Sequence, residues 1–226
     1  MSKEKLPKDS AGYTPVMFPF RPKQAGPLVV VVPSIFGVTD DVHHYAKLFS
    51  AEGALVYAMD PFGRDGKGPL RIPQDGAAAM ARMGQISDDV VLQDLLEVCT
   101  RGLADEKCNG KLILLGVCFG GRFVLKASQH IQPDGIAVWH GAGLPSELKP
   151  ERLLATELSL DFGANDPLIP LGEVDGLRVS TSQLNANIRV HAKCGHGFTH
   201  WGTEKCVRPA AEIAAEAVVS MIHRLS

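Results

Sequence analysis

A cysteine between glycines stands where a strand pattern changes into a helix pattern. Residues 111–115 (KLILL) have the apolar character of a buried strand, and residues 122–127 (RFVLKA) have a helical pattern. The segment between them, residues 116–121 (GVCFGG), predicts the sharp turn of a nucleophile elbow, with Cys118 where serine is usual. Such a turn strains its central residue and sets the thiol at the positive end of a helix dipole, which favours a thiolate. Taken alone, the motif also fits a tight turn around a buried structural cysteine.

Two downstream residues have the types that an elbow nucleophile needs as partners. Asp166 follows a strand-like segment at residues 157–162, and His196 follows another at residues 187–191. In hydrolases with this elbow, the acid and then the histidine come after the nucleophile in the chain. Alone, Asp166 before proline also fits a turn or a helix cap, and His196 between glycines also fits an exposed loop residue. Three such sites in this order favour a Cys-His-Asp triad.

With these segments, the chain resembles the dienelactone hydrolase (carboxymethylenebutenolidase-like) family of the α/β-hydrolase fold, over about residues 27–225. The segments that carry the resemblance are residues 35–38 (IFGV), 59–61 (MDP), 116–121 (GVCFGG), 139–141 (WHG), 163–170 (GANDPLIP) and 195–198 (GHGF). The resemblance implies that Cys118 is the nucleophile, His196 the general base and Asp166 the residue that orients it. It also implies an oxyanion hole formed by the backbone N–H groups of Ile35 and Phe119, where one donor contributes about 3 kcal/mol.

The chain departs from the family pattern at two places. Ser34 stands where the family usually has a glutamate that helps to activate the cysteine, and a hydroxyl cannot act as a carboxylate. His200 stands where family members that act on dienelactone have an arginine for the substrate carboxylate, which leaves Arg82 as the candidate arginine. Because an imidazole binds an anion less well than a guanidinium, we expect a neutral or less acidic ester, lactone or thioester as substrate. Ser34 also fits a simple turn residue.

Other side chains are candidates for the substrate pocket or for a metal site. Phe36 lies in the predicted oxyanion loop, His140 either lines the pocket or packs in the core, and Trp201 forms either pocket wall or surface cover. Cys194, His196, His200 and Cys206 offer metal-ligand residue types, but no second Cys-x₂-Cys pair accompanies them. We therefore expect neither a metal nor a cofactor.

Composition limits the function classes further. The chain has 226 residues with 23 basic and 25 acidic side chains, and no basic stripe, which argues against nucleic-acid binding. No apolar run is long enough to span a membrane, and residues 1–7 (MSKEKLP) do not resemble a signal peptide, so we expect a cytoplasmic protein. Five scattered cysteines argue against a disulfide framework. The expected partner is a small-molecule ester or lactone, for a monomer or small homo-oligomer.

Alternating strand and helix patterns predict one α/β domain over residues 1–226, with a mostly parallel sheet, helices on both faces and no large cap domain. Residues 1–12 are expected to be loose, residues 13–20 to form an edge strand, Asp40 or Asp41 to cap a helix, and Cys108 to be an exposed turn residue. The predicted strands are residues 28–32, 54–59, 111–116, 136–140, 158–162 and 188–192. The predicted helices are residues 42–52, 75–83, 87–99, 150–154 and 204–225, with 177–185 helical or irregular.

The principal hypothesis is a cysteine-dependent hydrolase that cleaves an ester or lactone through a thioacyl-enzyme. One alternative is a redox-sensing or ligand-binding pseudoenzyme, which the absence of a carboxylate at Ser34 favours. Another is a thioesterase or acyl transferase that uses the same site.

Overall fold

A computed structural model describes residues 13–226 together with the short strand Glu4–Lys5. The expectation of a loose segment over residues 1–12 lies outside the described residues, except that Glu4–Lys5 pairs antiparallel with the next strand. The strands are β1 (Glu4–Lys5), β2 (Val16–Phe20), β3 (Gly26–Val32), β4 (Leu55–Asp60), β5 (Cys108–Val117), β6 (Gly135–Trp139), β7 (Glu157–Gly163) and β8 (Ala186–His191).

Helices connect most of these strands. They are α1 (Asp40–Ala51), α2 (Gly76–Met83), α3 (Asp88–Leu103), α4 (Phe119–Ala127), α5 (Leu144–Glu147), α6 (Leu171–Ser180) and α7 (Arg208–Leu225), with 3₁₀ turns at Gly63–Asp65 and Pro150–Arg152. Within the described residues, none of the helices has the length and apolar character needed to cross a membrane.

The strands form one sheet in the order β1-β2-β4-β3-β5-β6-β7-β8. β2 pairs antiparallel with both β1 and β4, and all other neighbouring strands pair parallel, which confirms the predicted mostly parallel α/β sheet. In a parallel sheet the carboxyl ends of all strands lie at the same edge, so the loops after β3, β5, β7 and β8 meet there.

Both faces of the sheet are covered, which explains the continuous apolar runs in its central strands. All seven residues of β3 are buried. On one face, Val30 of β3 belongs to the same apolar core as Leu95 of α3 and Phe123 of α4. On the other face, Val31 shares a core with side chains of α1 and α7, including Phe49.

Several local predictions are wrong in detail. The strand at Val16–Phe20 is not an edge strand, because β1 and β4 pair with its two sides. Cys108 is half-buried and begins β5 instead of forming an exposed turn. Thr39 precedes α1, and Asp40 and Asp41 lie in its first turn.

Other differences between the prediction and the structure concern where helices begin and end. Helix α6 begins at Leu171, six residues before the predicted start at residue 177. The prediction missed its first turns because the glycines at positions 172 and 176 weaken the helical pattern of the sequence. Helix α7 begins only at Arg208, and Pro209 follows in the first turn, where the missing N–H costs nothing. The helix predicted at 150–154 is a 3₁₀ turn, and the four-residue helix α5 was not predicted.

Candidate active site

Cys118 occupies a strained turn between β5 and α4. Its backbone angles are φ 52° and ψ −111°, in a region that side-chain-bearing residues rarely adopt. A Cβ at Gly120 would lie 2.0 Å from the carbonyl oxygen of Val32, and one at Gly116 would lie 2.6 Å from that of Gly120. Strand and helix therefore approach so closely that only glycine fits on either side of the thiol.

The fold brings Cys118, His196 and Asp166 into one hydrogen-bonded line. His196 Nε2 lies 3.1 Å from Cys118 Sγ, and His196 Nδ1 donates to Asp166 Oδ2 at 2.8 Å. Asp166 follows β7 and His196 follows β8, so the strand ends deliver both residues to the elbow. The Asp166 side chain is buried, and its other carboxylate oxygen accepts the Leu168 N–H at 2.8 Å. That second hydrogen bond holds the carboxylate in a fixed orientation.

The surroundings of His196 favour its charged form. Burial lowers the pKa of His196, but hydrogen bonds with Asp166 and Cys118 outweigh this and raise the pKa to about 9. An imidazolium at neutral pH then lies beside the sulfur, where it stabilises negative charge. The arrangement can supply a sulfur nucleophile and a proton donor at the same point.

The two predicted oxyanion donors lie beside the thiol. Ile35 and Phe119 line the same cavity as Cys118, on the loop after β3 and at the first position of α4. Neither backbone N–H is among the donors that pair with carbonyls in the turns, loops and caps of the described residues. The first N–H groups of a helix lack acceptors within the helix, so they are available to a developing oxyanion.

The cavity in front of Cys118 has a volume of about 550 Å³. Apolar side chains dominate its lining, among them Phe36, Met80, Met83, Phe119 and Leu168. Its polar lining comes from Arg122, His196, His200 and Lys205. A mostly apolar cavity with a few polar groups around a nucleophile is the usual form of a small-molecule site.

A sequence model of the dienelactone hydrolase family matches residues 17–226. The chain belongs to the dienelactone hydrolase family. The carboxymethylenebutenolidase of Pseudomonas sp. (strain P51) is 23% identical over 204 residues, which cover 88% of this chain and 85% of that protein. The carboxymethylenebutenolidase of Rhodococcus opacus is 28% identical over 194 residues, covering 80% and 73%.

Solved structures agree on the fold. The crystal structure of a dienelactone hydrolase-like promiscuous phosphotriesterase from metagenomic libraries superposes with a TM-score of 0.74 at 18% identity, over 99% of this chain and 98% of that one. The predicted α/β-hydrolase fold and family are therefore confirmed. As a member of the dienelactone hydrolase family, the chain is a hydrolase of esters or lactones.

Ser34 and His200, the two expected departures from the family pattern, differ in whether they line the cavity. Ser34 is buried and does not line the cavity; its Oγ lies 3.4 Å from the Phe36 N–H, a weak contact within the loop. Phe36 and His200 do line the cavity. Position 34 offers a hydroxyl and no carboxylate, and the sulfur is in hydrogen-bond contact with His196.

Arg82, the arginine predicted to bind substrate, lies outside the lining of the Cys118 cavity. Its guanidinium donates to both carboxylate oxygens of Asp65 and to the carbonyl oxygens of Gly68 and Phe62. Arg82 is buried and lines a separate pocket beneath the loop after β4 instead of the Cys118 cavity. Its ion pair with Asp65 joins α2 to that loop.

His140 and Trp201 also lie outside the cavity lining. His140 is fully buried, and its ring packs edge-on against His196 with centroids 4.9 Å apart, while Nε2 lies 2.8 Å from Thr199 Oγ1. It therefore packs behind the His196 ring as a buried residue. Trp201 stacks on His44 with centroids 4.4 Å apart and lines a different pocket, the placement expected under the surface-cover alternative.

Sequence reasoning missed Asp41 as a residue of the site. Its carboxylate accepts a hydrogen bond from His200 Nδ1 at 2.7 Å, and both side chains are buried. Burial raises the pKa of Asp41, but hydrogen bonds from His200 and Thr39 outweigh it and hold the pKa below its usual value. The two partners are 159 residues apart in the chain, so no local pattern could have connected them.

One group of described residues has the composition of a metal site. Cys118, His140 and His196 offer ligand atoms within 4.8 Å of one another. Both nitrogens of His196 and Nε2 of His140 already have hydrogen-bond partners. A metal at this place would have to replace the contact between His196 and the thiol.

Proposed function

We propose that this hydrolase cleaves its ester or lactone through a thioacyl-enzyme on Cys118, with His196 as acid and base and Asp166 as its orienting partner. The observation that carries the proposal is the 3.1 Å contact between His196 Nε2 and Cys118 Sγ, continued by the 2.8 Å hydrogen bond to Asp166. The strained elbow that presents the sulfur to an apolar cavity supports the same assignment.

In the first half of the reaction, the Cys118 sulfur attacks the carbonyl carbon. The carbonyl electrons move to the oxygen, which the N–H groups of Ile35 and Phe119 stabilise. When the electrons return, the carbon–oxygen bond to the leaving alcohol breaks, and His196 donates its proton to that oxygen. The acyl group is then bound to sulfur.

In the second half, neutral His196 accepts a proton from water, and the resulting hydroxide attacks the thioester carbon. The carbon–sulfur bond breaks, the acid leaves, and the sulfur regains its place beside imidazolium. Asp166 accepts the Nδ1 proton of His196 in a hydrogen bond and so keeps Nε2 directed at the reacting atoms. Because Ser34 offers no carboxylate, we expect activation to depend on His196.

The test compares wild type, Cys118→Ala and Cys206→Ala on p-nitrophenyl acetate under reducing conditions. Cys206 is half-buried and does not line the Cys118 cavity, so its variant controls for loss of a thiol. We expect turnover to disappear only in Cys118→Ala, and acid-quenched wild type to carry one acetyl group on the Cys118 peptide. Full turnover by Cys118→Ala would refute the proposal.

A redox-sensing thiol is the second candidate, favoured by the presence of Ser34 and by the half-exposed sulfur beside His196. It predicts that peroxide removes Cys118 labelling while no ester in a broad panel is hydrolysed. A thioesterase would instead release acid faster from a thioester than from the matched oxygen ester.

A further inference from the structure

The cavity in front of Cys118 has an apolar wall that continues to its opening. Phe119 and Met83 lie in its buried or half-buried part. Met80 of α2 and Leu168 of the loop after β7 also line it, yet their side chains are 54% and 60% exposed. Apolar side chains in such positions lose contact with water when an apolar ligand covers them, which favours binding.

Most of the charged groups around this cavity are already neutralised by partners within the chain. Arg122 donates to both carboxylate oxygens of Asp88, at 2.9 and 2.7 Å, and Lys126, which shares Asp88, also lies 3.7 Å from Glu147 Oε1. His200 is paired with the buried Asp41. Lys205 is exposed, and among the described residues no ion pair involves its ammonium group.

An anionic substrate group would therefore find little compensation for its lost hydration in this cavity. A carboxylate that leaves water needs a partner of opposite charge with good geometry, and each buried or half-buried cation here already has one. The ammonium of Lys205 remains in water, where a single ion pair contributes little.

From these two observations we infer that the cavity binds the acyl group of the substrate and that this acyl group is apolar and carries no charge. The substrates are therefore neutral esters or thioesters. The inference rests on the proposed thioacyl mechanism and names its substrate class. The acyl group stays on Cys118 through both half-reactions, whereas the alcohol must leave. A wall that holds the acyl chain keeps its carbonyl between the N–H groups of Ile35 and Phe119 while water replaces the alcohol.

The kinetic test uses p-nitrophenyl acetate, butyrate and hexanoate, together with the p-nitrophenyl monoester of glutaric acid. We expect kcat/KM to rise about two- to fourfold per added methylene from acetate to hexanoate, since each methylene leaves water for an apolar surface. The anionic glutarate monoester should react at least about tenfold more slowly than butyrate. A flat or falling chain-length series, or equal rates for glutarate and butyrate, would overturn the inference.

Variants at the opening locate the effect. Leu168→Glu and Met80→Glu each place a carboxylate in the apolar wall, and each should lower the hexanoate-to-acetate ratio of kcat/KM by about fivefold or more. Leu154→Glu is the matched control, because Leu154 is 70% exposed and does not line this cavity. An unchanged ratio in both wall variants, or an equal fall in the control, would contradict the assignment.

Direct binding separates this inference from the mechanism. Cys118→Ala, which cannot form the thioacyl-enzyme, is titrated calorimetrically with methyl acetate and methyl hexanoate. Tighter binding of the hexanoate supports the acyl site even if the wild type shows no Cys118-dependent turnover, which would be a failure of the proposed mechanism alone. Equal binding of the two esters overturns the acyl site even if turnover depends on Cys118.

Discussion

Replacing Asp166 with asparagine tests how this chain holds its imidazolium. Asp166 accepts hydrogen bonds on both oxygens, one from His196 Nδ1 and one from the Leu168 N–H. An asparagine must keep its single carbonyl oxygen toward one of these donors. If the oxygen stays with Leu168, the amide N–H₂ faces Nδ1, so the proton moves to Nε2 and the imidazole presents the wrong nitrogen to the sulfur.

The size of the effect follows from the pKa of His196. That pKa rises from 6.5 to about 9, a difference of about 2.5, through hydrogen bonds and charges that Asp166 and Cys118 supply against the opposing effect of burial. At 1.36 kcal/mol per unit, the imidazolium is favoured by about 3 kcal/mol. Assigning about half of this to Asp166 predicts that Asp166→Asn lowers the pKa of His196 by about one unit, and the tautomer change predicts a loss of about 10²–10⁴-fold in kcat.

Two assays check these numbers. The pH profile of kcat/KM for p-nitrophenyl butyrate, corrected for spontaneous hydrolysis, should have a basic limb near pH 9 that shifts to lower pH in Asp166→Asn. A pKa that is higher in the folded state stabilises the fold fully below about pH 6.5, and this stabilisation is lost as the pH rises through about 9. The variant should therefore lose about 1–2 kcal/mol of unfolding free energy at pH 6 and much less at pH 10.

Asp175→Asn is the control for this experiment. Asp175 is exposed, pairs with Arg178 on the same helix and lies outside the cavity. It should change neither the pH profile nor the pH dependence of unfolding. The reasoning is refuted if Asp166→Asn keeps a basic limb near pH 9, or if its loss of stability is as large at pH 10 as at pH 6.

Three further predictions concern the fold and the other buried groups. Gly120→Ala should lower the free energy of unfolding by several kcal/mol, about the scale of a severe packing defect, because its Cβ would lie 2.0 Å from a carbonyl oxygen of β3. The control Gly172→Ala, with open space around it, should be neutral or stabilising. Urea unfolding measures both variants, and equal effects would contradict the geometry. Asp41→Asn should lower the free energy of unfolding more at pH 7 than at pH 3. The reason is that a carboxyl whose pKa is lowered in the folded protein stabilises the fold at neutral pH, and this stabilisation is lost as the pH falls through that pKa. An equal loss at both pH values would rule out the pair with His200. Burial raises the pKa of Cys99 to about 12, so its thiol should not react with iodoacetamide in the folded protein. Mass spectrometry should find Cys99 alkylated only in urea, and alkylation without urea would refute its burial.

Local sterics explain why the elbow could be predicted. Residues 116–121 are adjacent in the chain, and a strand that turns into a helix within three residues needs glycine wherever the two backbones touch. The central strands were equally visible, because a strand buried on both faces must be apolar at every position, as in residues 28–32. Predictions from weak patterns were wrong. Two glycines weakened the helical pattern at the start of α6, and β2 was predicted as an edge strand because its outer neighbour β1 has only two residues.

The tertiary structure alone decided which polar groups remain available to a substrate. Arg82 has a residue type that fits anion binding, but a side chain of that length can reach in several directions, and here Asp65 holds it away from the cavity. His200 lines the cavity, but its Nδ1 is hydrogen-bonded to the Asp41 carboxylate. The sequence determined the elbow that carries Cys118, the chain order of Cys118, Asp166 and His196, and the sheet beneath them, because these depend on neighbouring residues and on strand ends meeting at one edge. The pairing of side chains from distant segments depends on how the helices pack on that sheet, and it is this packing that left the cavity mostly apolar.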